Sequence, residues 1–300
     1  MKKVIITGVT GFIGSALAIR LLSEGIRVYG VGRNIVRLNE LKRHGDFVPV
    51  QADFSKYDAL EYFITDRCFD MFWHLAWEGV HIPYAQNNYQ LQIDNILASS
   101  HTASLLKRLE CKNACFITSV NEAASHKEYN LNPYYYSIAK RSAKEFFKAI
   151  CLKQNILCHS VVIPNTYGEG CRNDTGVGFF VKQMLMHEDL NLVPGETLVD
   201  WIYIQDLING MLLAASSGKA YEEYYIGSKE PSSIRSRLIE IKKILQSNSN
   251  LVFGAYPENR ITNYDLLDKE ALKRDTGFES MFTFEESIMK TAEWLQVDSR

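Results

Sequence analysis

Residues 3–14 read KVIITGVTGFIG. The first five are apolar and β-branched in the manner of a buried strand. Three glycines follow, at Gly8, Gly11 and Gly14, and then the helical spacing of Phe12, Ala16, Leu17, Ile19 and Leu21 begins. A strand therefore ends, glycines turn the chain, and a helix starts within a few residues. That arrangement points backbone amides and the positive end of a helix at one place, which suits a pyrophosphate. Gly14 lets the helix pack closely on the strand it leaves. A glycine triplet alone could be a tight turn; placed between a first strand and a first helix, it predicts dinucleotide binding.

Working outward, the same texture repeats. Short apolar runs occur at KVIIT (3–7), RVYGVG (27–32), FVPV (47–50), FDMFWHLA (69–76), ACFIT (114–118) and LCHSVVI (157–163). Helical spacing fills the gaps, for example Ile93, Ile96, Leu97, Leu105 and Leu106, then Tyr136 to about Leu152. Alternation of this kind predicts an α/β fold, a doubly wound Rossmann parallel sheet with helices on both faces. After residue 164 the rhythm breaks into PNTYGEGCRNDTGVG, a loop by composition. Helices at about 178–187 and 206–216, a strand in DWIYI and an amphipathic tail FEESIMKTAEWLQ follow. The expected division is 1–163 as the NAD(P)-binding Rossmann domain, with 195–216 returning to it. Residues 164–194 and 217–300 form a smaller C-terminal α+β substrate lobe.

The end of the second strand bears on which dinucleotide binds. An acid there would take the ribose hydroxyls of NAD. VYGVGRN has none; Arg33 stands in its place, with Arg37 a helical turn later. A guanidinium suits a 2′-phosphate by charge and fork geometry. NADP is thus the expected cofactor, with NAD as the alternative. Asp53, after the third strand, can accept from the adenine amino group or cap the helix that follows.

Bulk properties exclude several classes. Thirty-three Lys and Arg balance 35 Asp and Glu, which gives no electrostatic case for nucleic acid or a membrane surface. No apolar stretch approaches the roughly 20 residues a bilayer demands. MKKVIITG runs directly into a strand without a leader pattern, and the six cysteines form no Cys-x-x-Cys pair. Free thiols in the cytoplasm are the expectation, with no metal centre.

One motif remains, NPYYYSIAK at 132–140. Of its three tyrosines only Tyr136 lies four residues before Lys140, which puts the two side chains on one helix face. Together, TGVTGFIG (7–14), ADF (52–54), HLAW (74–77), ITSV (117–120), YSIAK (136–140), PNTYGEG (164–170) and DWIYIQD (200–206) resemble the extended short-chain dehydrogenase/reductases of the nucleotide-sugar epimerase/dehydratase type. The match covers most of the chain, in the family's order. The resemblance implies that Tyr136 exchanges a proton with a sugar oxygen, that Lys140 holds the nicotinamide ribose and lowers the phenol's pKa, and that Ser119 orients the same oxygen. It implies a cofactor set of Gly8, Thr10, Gly11, Phe12, Ile13, Gly14, Arg33, Asp53, Phe54, Leu75, Ala76, Trp77, Thr118 and Pro164, besides Tyr136 and Lys140. Trp77, Asn121, Asn165, Arg172 and Arg260 would touch substrate. His74 reads as a buried structural histidine, and Asn95 either braces its helix or reaches ligand. Family members dimerise through two helices of the first lobe, here about 87–109 and 136–152.

Departures from the family pattern sort the reaction. Ala123 and Ala124 replace a Tyr-Gly pair, and Val162 and Val199 replace arginines. Phosphate recognition then falls to Arg172, Arg235 or Arg260. Trp77 replaces a small residue and would narrow the sugar site. Glu122 lies one step later than the acid a 4,6-dehydratase needs, and on a strand end one step reverses facing. The expectation is an NADP(H)-dependent reductase of a keto-deoxy sugar in polysaccharide or deoxysugar biosynthesis, nucleotide-linked as the resemblance implies, although the missing arginines make a substrate without a nucleotide more plausible. The alternatives are a nucleotide-sugar epimerase with retained NAD and a non-catalytic NADP-sensing binding protein.

Overall fold

The structure is a computed structural model; it describes residues 1–80, 82–123, 134–228, 231–258 and 264–298. The chain divides into two compact units. The first takes Met1–Glu122, Pro133–Val162 and Met211–Tyr224, and the second takes the remainder.

The first unit is built on strands β1 (Lys3–Thr7), β2 (Arg27–Gly32), β3 (Phe47–Gln51), β4 (Met71–His74), β5 (Asn113–Ser119) and β6 (Leu157–Ile163), with a seventh strand at Glu223–Tyr225. Their order across the sheet is seventh, β6, β5, β4, β1, β2, β3. The pairs from β3 to β5 are parallel. Chain progression therefore reverses between β1 and β4. In open α/β sheets that reversal opens a crevice at the carboxyl ends of the strands. Val4, Ile5 and Ile6 of β1 are fully buried, as a central strand covered on both faces requires. The FDMFWHLA run shortens to a four-residue strand, because residues after His74 leave the ladder to form a loop.

Helix α1 (Phe12–Ser23) buries Gly14, Leu17, Ala18, Leu21 and Leu22 on the sheet and stops at Glu24, before Gly25 in a left-handed conformation (φ 77°). Helix α2 (Ile35–Leu41) begins on Asn34, whose side chain accepts from the amides of Val36 and Arg37. A short α3 (Pro83–Gln86) precedes α4 (Tyr89–Leu105), and α5 (Tyr134–Lys153) packs along α4. Phe116 of β5 and Phe147 of α5 pack ring against ring at 5.4 Å.

The second unit holds the short strands Asn165–Tyr167 and Trp201–Tyr203, which pair in parallel, and the helices Gly176–Leu185, Ile234–Ile244 and Phe284–Asp298. Helix Ile204–Ser216 runs from the second unit into the first. Asp200, fully buried before that helix, accepts from the hydroxyl of Tyr225 and the amide of Ser228, and its own amide donates to the Tyr264 hydroxyl at 3.0 Å.

Candidate active site

Gly8 adopts φ 70°, and a Cβ there would stand 2.8 Å from the Ala76 amide nitrogen. A Cβ on Gly14 would collide with the Gly8 carbonyl. Both positions require glycine, one for conformation and one for close approach. Gly11 is the N-cap of α1 with no side-chain capping bond, and the first turn carries no acid. The amides of Phe12, Ile13 and Gly14 thus begin a helix that no side chain closes off. That donor set fits a pyrophosphate, and the residues present therefore fit a nicotinamide dinucleotide. Thr10, Phe12 and Ile13 are half-buried around the turn. Leu75 and Ala76 back it through bonds to Thr7, one to its carbonyl at 3.3 Å and one to its hydroxyl at 3.4 Å.

His74 is neutral and structural. Its Nδ1 meets the Thr7 hydroxyl and its Nε2 meets Ser99 Oγ, both at 3.0 Å. The Ser99 hydroxyl already donates to the Asn95 carbonyl at 2.8 Å, so the ring must carry its proton on Nε2. Burial, helped by the nearby Lys140 charge, lowers its pKa to about 3.

At the outer corner, Asp53 accepts from the amide and hydroxyl of Ser55 and caps the 3-10 segment Phe54–Tyr62. The Ser55 hydroxyl holds its carboxyl below the usual range. Phe54 packs on Tyr57 at 5.0 Å. The Arg33 guanidinium is engaged by Glu78.

The catalytic candidates meet at the end of β5. Ser119 closes that strand, and its side chain acts on the Tyr136 phenol. Tyr136 and Lys140 stand one turn apart on α5, 4% and 5% exposed. Lys140 Nζ donates to the Ile117 carbonyl at 3.1 Å. Burial raises the phenol to about 12, against the lowering effect of Ser119. Burial also drops the ammonium to about 7, opposed by the field of Glu122. Both shifts follow from removing the charged form of each group from water. Asn121 lies beside them and donates its amide to Ser119 Oγ at 3.3 Å.

Three features here were not read from the sequence. Trp77 lays its indole face over Lys140, 4.0 Å from Nζ to the ring centroid, and stands edge-on to Tyr136 at 6.0 Å. Its Nε1 donates to the buried Gln92 at 3.2 Å, which locks the ring. Second, Glu122 is no stray acid. It accepts from Thr118 Oγ1 and from Lys144 Nζ, both at 2.7 Å, and Lys144 also reaches Glu223. The Thr118 hydroxyl is thereby turned to Glu122. Third, Lys144 continues the row Tyr136, Lys140 by one more turn. That spacing was legible, but its partner 22 residues back was not. Asn95 braces the loop after β4, not a strand: it bonds the backbone of Glu78 in both directions, at 2.8 and 3.1 Å.

Pro164, Asn165 and Arg172 belong to the second unit. Pro164 is buried and Asn165 exposed. Arg172 pairs with Asp174, and Arg235 lies over Phe253 at 4.2 Å beside Glu196. Arg260 lies outside the described residues.

Comparison with known proteins bears on the family and the fold. A family model described as the NAD dependent epimerase/dehydratase family matches residues 4–227. CDP-abequose synthase of Yersinia pseudotuberculosis is 22% identical, across 86% of this chain and 90% of its own length. UDP-glucuronate 4-epimerase of Thermodesulfobacterium geofontis is 24% identical, across 98% and 96%. Among solved structures, UDP-glucose 4-epimerase of Thermotoga maritima superposes with a TM-score of 0.82 at 20% identity, covering 99% of this chain and 100% of that one. WbmF of Bordetella bronchiseptica, in complex with NADH, gives 0.83 at 21%, covering 99% and 93%.

Proposed function

This chain belongs to the NAD-dependent epimerase/dehydratase family, and from that membership we propose an oxidoreductase that reduces a keto-deoxy sugar carried on a nucleotide. The observation that carries the reading is the Ser119–Tyr136–Lys140 group, with its phenol held protonated by burial. Reduction of a ketone needs a hydride at carbon and a proton at oxygen. When bound, the nicotinamide supplies the hydride. Tyr136 supplies the proton, Ser119 holds the carbonyl oxygen in line, and Lys140 as ammonium stabilises the phenolate left behind. Burial keeps the phenol in its protonated form, the form from which a ketone reduction starts.

Epimerisation is the second reading, and the end-to-end similarity to a UDP-glucuronate 4-epimerase supports it. It requires NAD to stay bound between two hydride transfers. A non-catalytic sensor accounts for the glycine turn but not for the Ser119, Tyr136 and Lys140 set. We assign recognition of the nucleotide carrier to the second unit, with Asn165, Arg172 and Arg260 as candidates and Trp77 narrowing the sugar end. Two copies would associate through α4 and α5, whose outer faces expose Tyr89, Ile93 and Leu97, and Tyr135, Ile138 and Phe146. No helix among the described residues is long and apolar enough to cross a membrane. All six cysteines are free, which suits the cytoplasm.

The test is dihydronicotinamide oxidation by the purified chain with keto-deoxy sugars on several nucleotide carriers. Tyr136→Phe should bind cofactor as the parent does and lose about 10²- to 10⁴-fold in turnover. Equal turnover in that variant rejects the assignment, and inversion of an unreduced sugar without net oxidation of added cofactor selects the epimerase reading.

A further inference from the structure

A dinucleotide site of this architecture distinguishes NAD from NADP by what faces the adenosine ribose: a carboxylate for a free hydroxyl, a guanidinium for a 2′-phosphate. The segment after β2 holds no carboxylate, and Arg33 there invites the second answer. The structure gives Arg33 another partner. Its Nη1 donates to Glu78, 45 residues ahead on the loop after β4. The other polar side chain of that segment, Asn34, is used up capping α2.

Glu78 is not held in place by this ion pair. Its amide donates to Asn95 Oδ1 at 2.8 Å, and its carbonyl accepts from Asn95 Nδ2 at 3.1 Å. Asn95 is fully buried within α4. The backbone that carries the carboxylate is thus fixed from below. Arg33, with its side chain 67% exposed, is the more exposed member of the pair. Asp53 belongs to the same corner. Tyr57 beneath is raised first by burial, then tuned by the fields of Arg33, Glu78 and Asp53 together. Asp53 and Glu78 stand here against Arg33 and Lys56, and the Arg33 charge is already spent on Glu78.

We propose that Glu78 sets the cofactor preference: it supplies from the loop after β4 the acid that the end of β2 lacks, neutralises Arg33, and makes the chain select NAD(H) over NADP(H). The proposal rests on the glycine turn being a dinucleotide site. A 2′-phosphate brought to this corner meets a guanidinium that is already paired with a carboxylate. A free ribose hydroxyl instead meets an acceptor whose backbone is already ordered. The loop position, and not the strand end, then carries selectivity.

The experiment measures dissociation constants of NADH and NADPH, by quenching of protein fluorescence, for the wild type, Glu78→Gln, Arg33→Ala and the double variant. The wild type should bind NADH at least about tenfold more tightly than NADPH, the value of one charge-assisted contact. Glu78→Gln keeps the Asn95 clamp and frees Arg33, so NADPH affinity should rise about tenfold while NADH weakens. In the double variant the NADPH gain should vanish. Circular dichroism and melting confirm that each variant is folded. Wild type that prefers NADPH, with the preference abolished in Arg33→Ala, overturns the proposal. So does a Glu78→Gln variant whose ratio of affinities is unchanged. Wild type that binds neither dinucleotide defeats the dinucleotide site itself, a separate result.

Discussion

The row on α5 and the corner after β2 gather charge in the same unit under opposite conditions. Tyr136, Lys140, Lys144 and Glu122 are each less than a tenth exposed. Arg33 stands two-thirds in water. In the row every charge must find a partner, because an unpaired ion in the interior is expensive. Lys144 has two carboxylates, and Lys140 has a carbonyl below it and an indole face above it. In the corner solvent does most of that work, and the pair there contributes little to folding. Burial therefore makes an unpaired charge costly and shifts its pKa, while exposure leaves a charge to be screened by solvent.

The sharpest way to break this contrast is to remove one buried partner. Glu122→Gln leaves Lys144 with only half-exposed Glu223 and should cost about 3 kcal/mol of unfolding free energy, at the lower end for a broken buried pair. Glu122→Gln with Lys144→Met should recover most of that in urea denaturation, since neither half is then left alone. A loss below 1 kcal/mol in the single variant would make the row no different from a surface pair.

Lys140 sharpens the comparison through pH. Burial depresses its pKa from 10.5 to about 7. Between those values the unfolded chain holds the proton that the folded chain has shed, so this group makes stability rise with pH across that window. Below about pH 7 both states are protonated, and the full penalty of a buried ammonium is present. Lys140→Met should remove that rise, seen as a wild-type-minus-variant difference in unfolding free energy that climbs from pH 7 to 10. A flat difference would mean that the ammonium is better solvated than its surroundings imply.

The smallest effect belongs to the corner. Arg33→Ala should shift unfolding free energy by less than about 0.5 kcal/mol, measured by the same denaturation. A larger loss would give the Arg33–Glu78 pair the structural weight reserved above for the row.

What the sequence could disclose follows the same line. KVIIT and the glycines are local signals, and the strand, turn and helix fall where those residues put them. Ser119 at a strand end and Tyr136 four before Lys140 are local too, and the structure brings all three together. Glu122 was legible only as an acid at the wrong step for one reaction, because Lys144 lies 22 residues away and meets it only when α5 packs on β5. Arg33 read as a free guanidinium for the same reason: Glu78 is 45 residues off and arrives through the sheet order β4, β1, β2. Asp53 allowed two roles on paper; the Ser55 bonds show the capping one in the folded chain.

Trp77 over Lys140 has one more consequence. Of the four tryptophans, this one has an ammonium on its face among the described residues, and a cation so placed should perturb its emission. Any molecule that draws Lys140 toward itself must loosen this pairing, so the protein carries an unlabelled optical reporter at the point where a sugar would react.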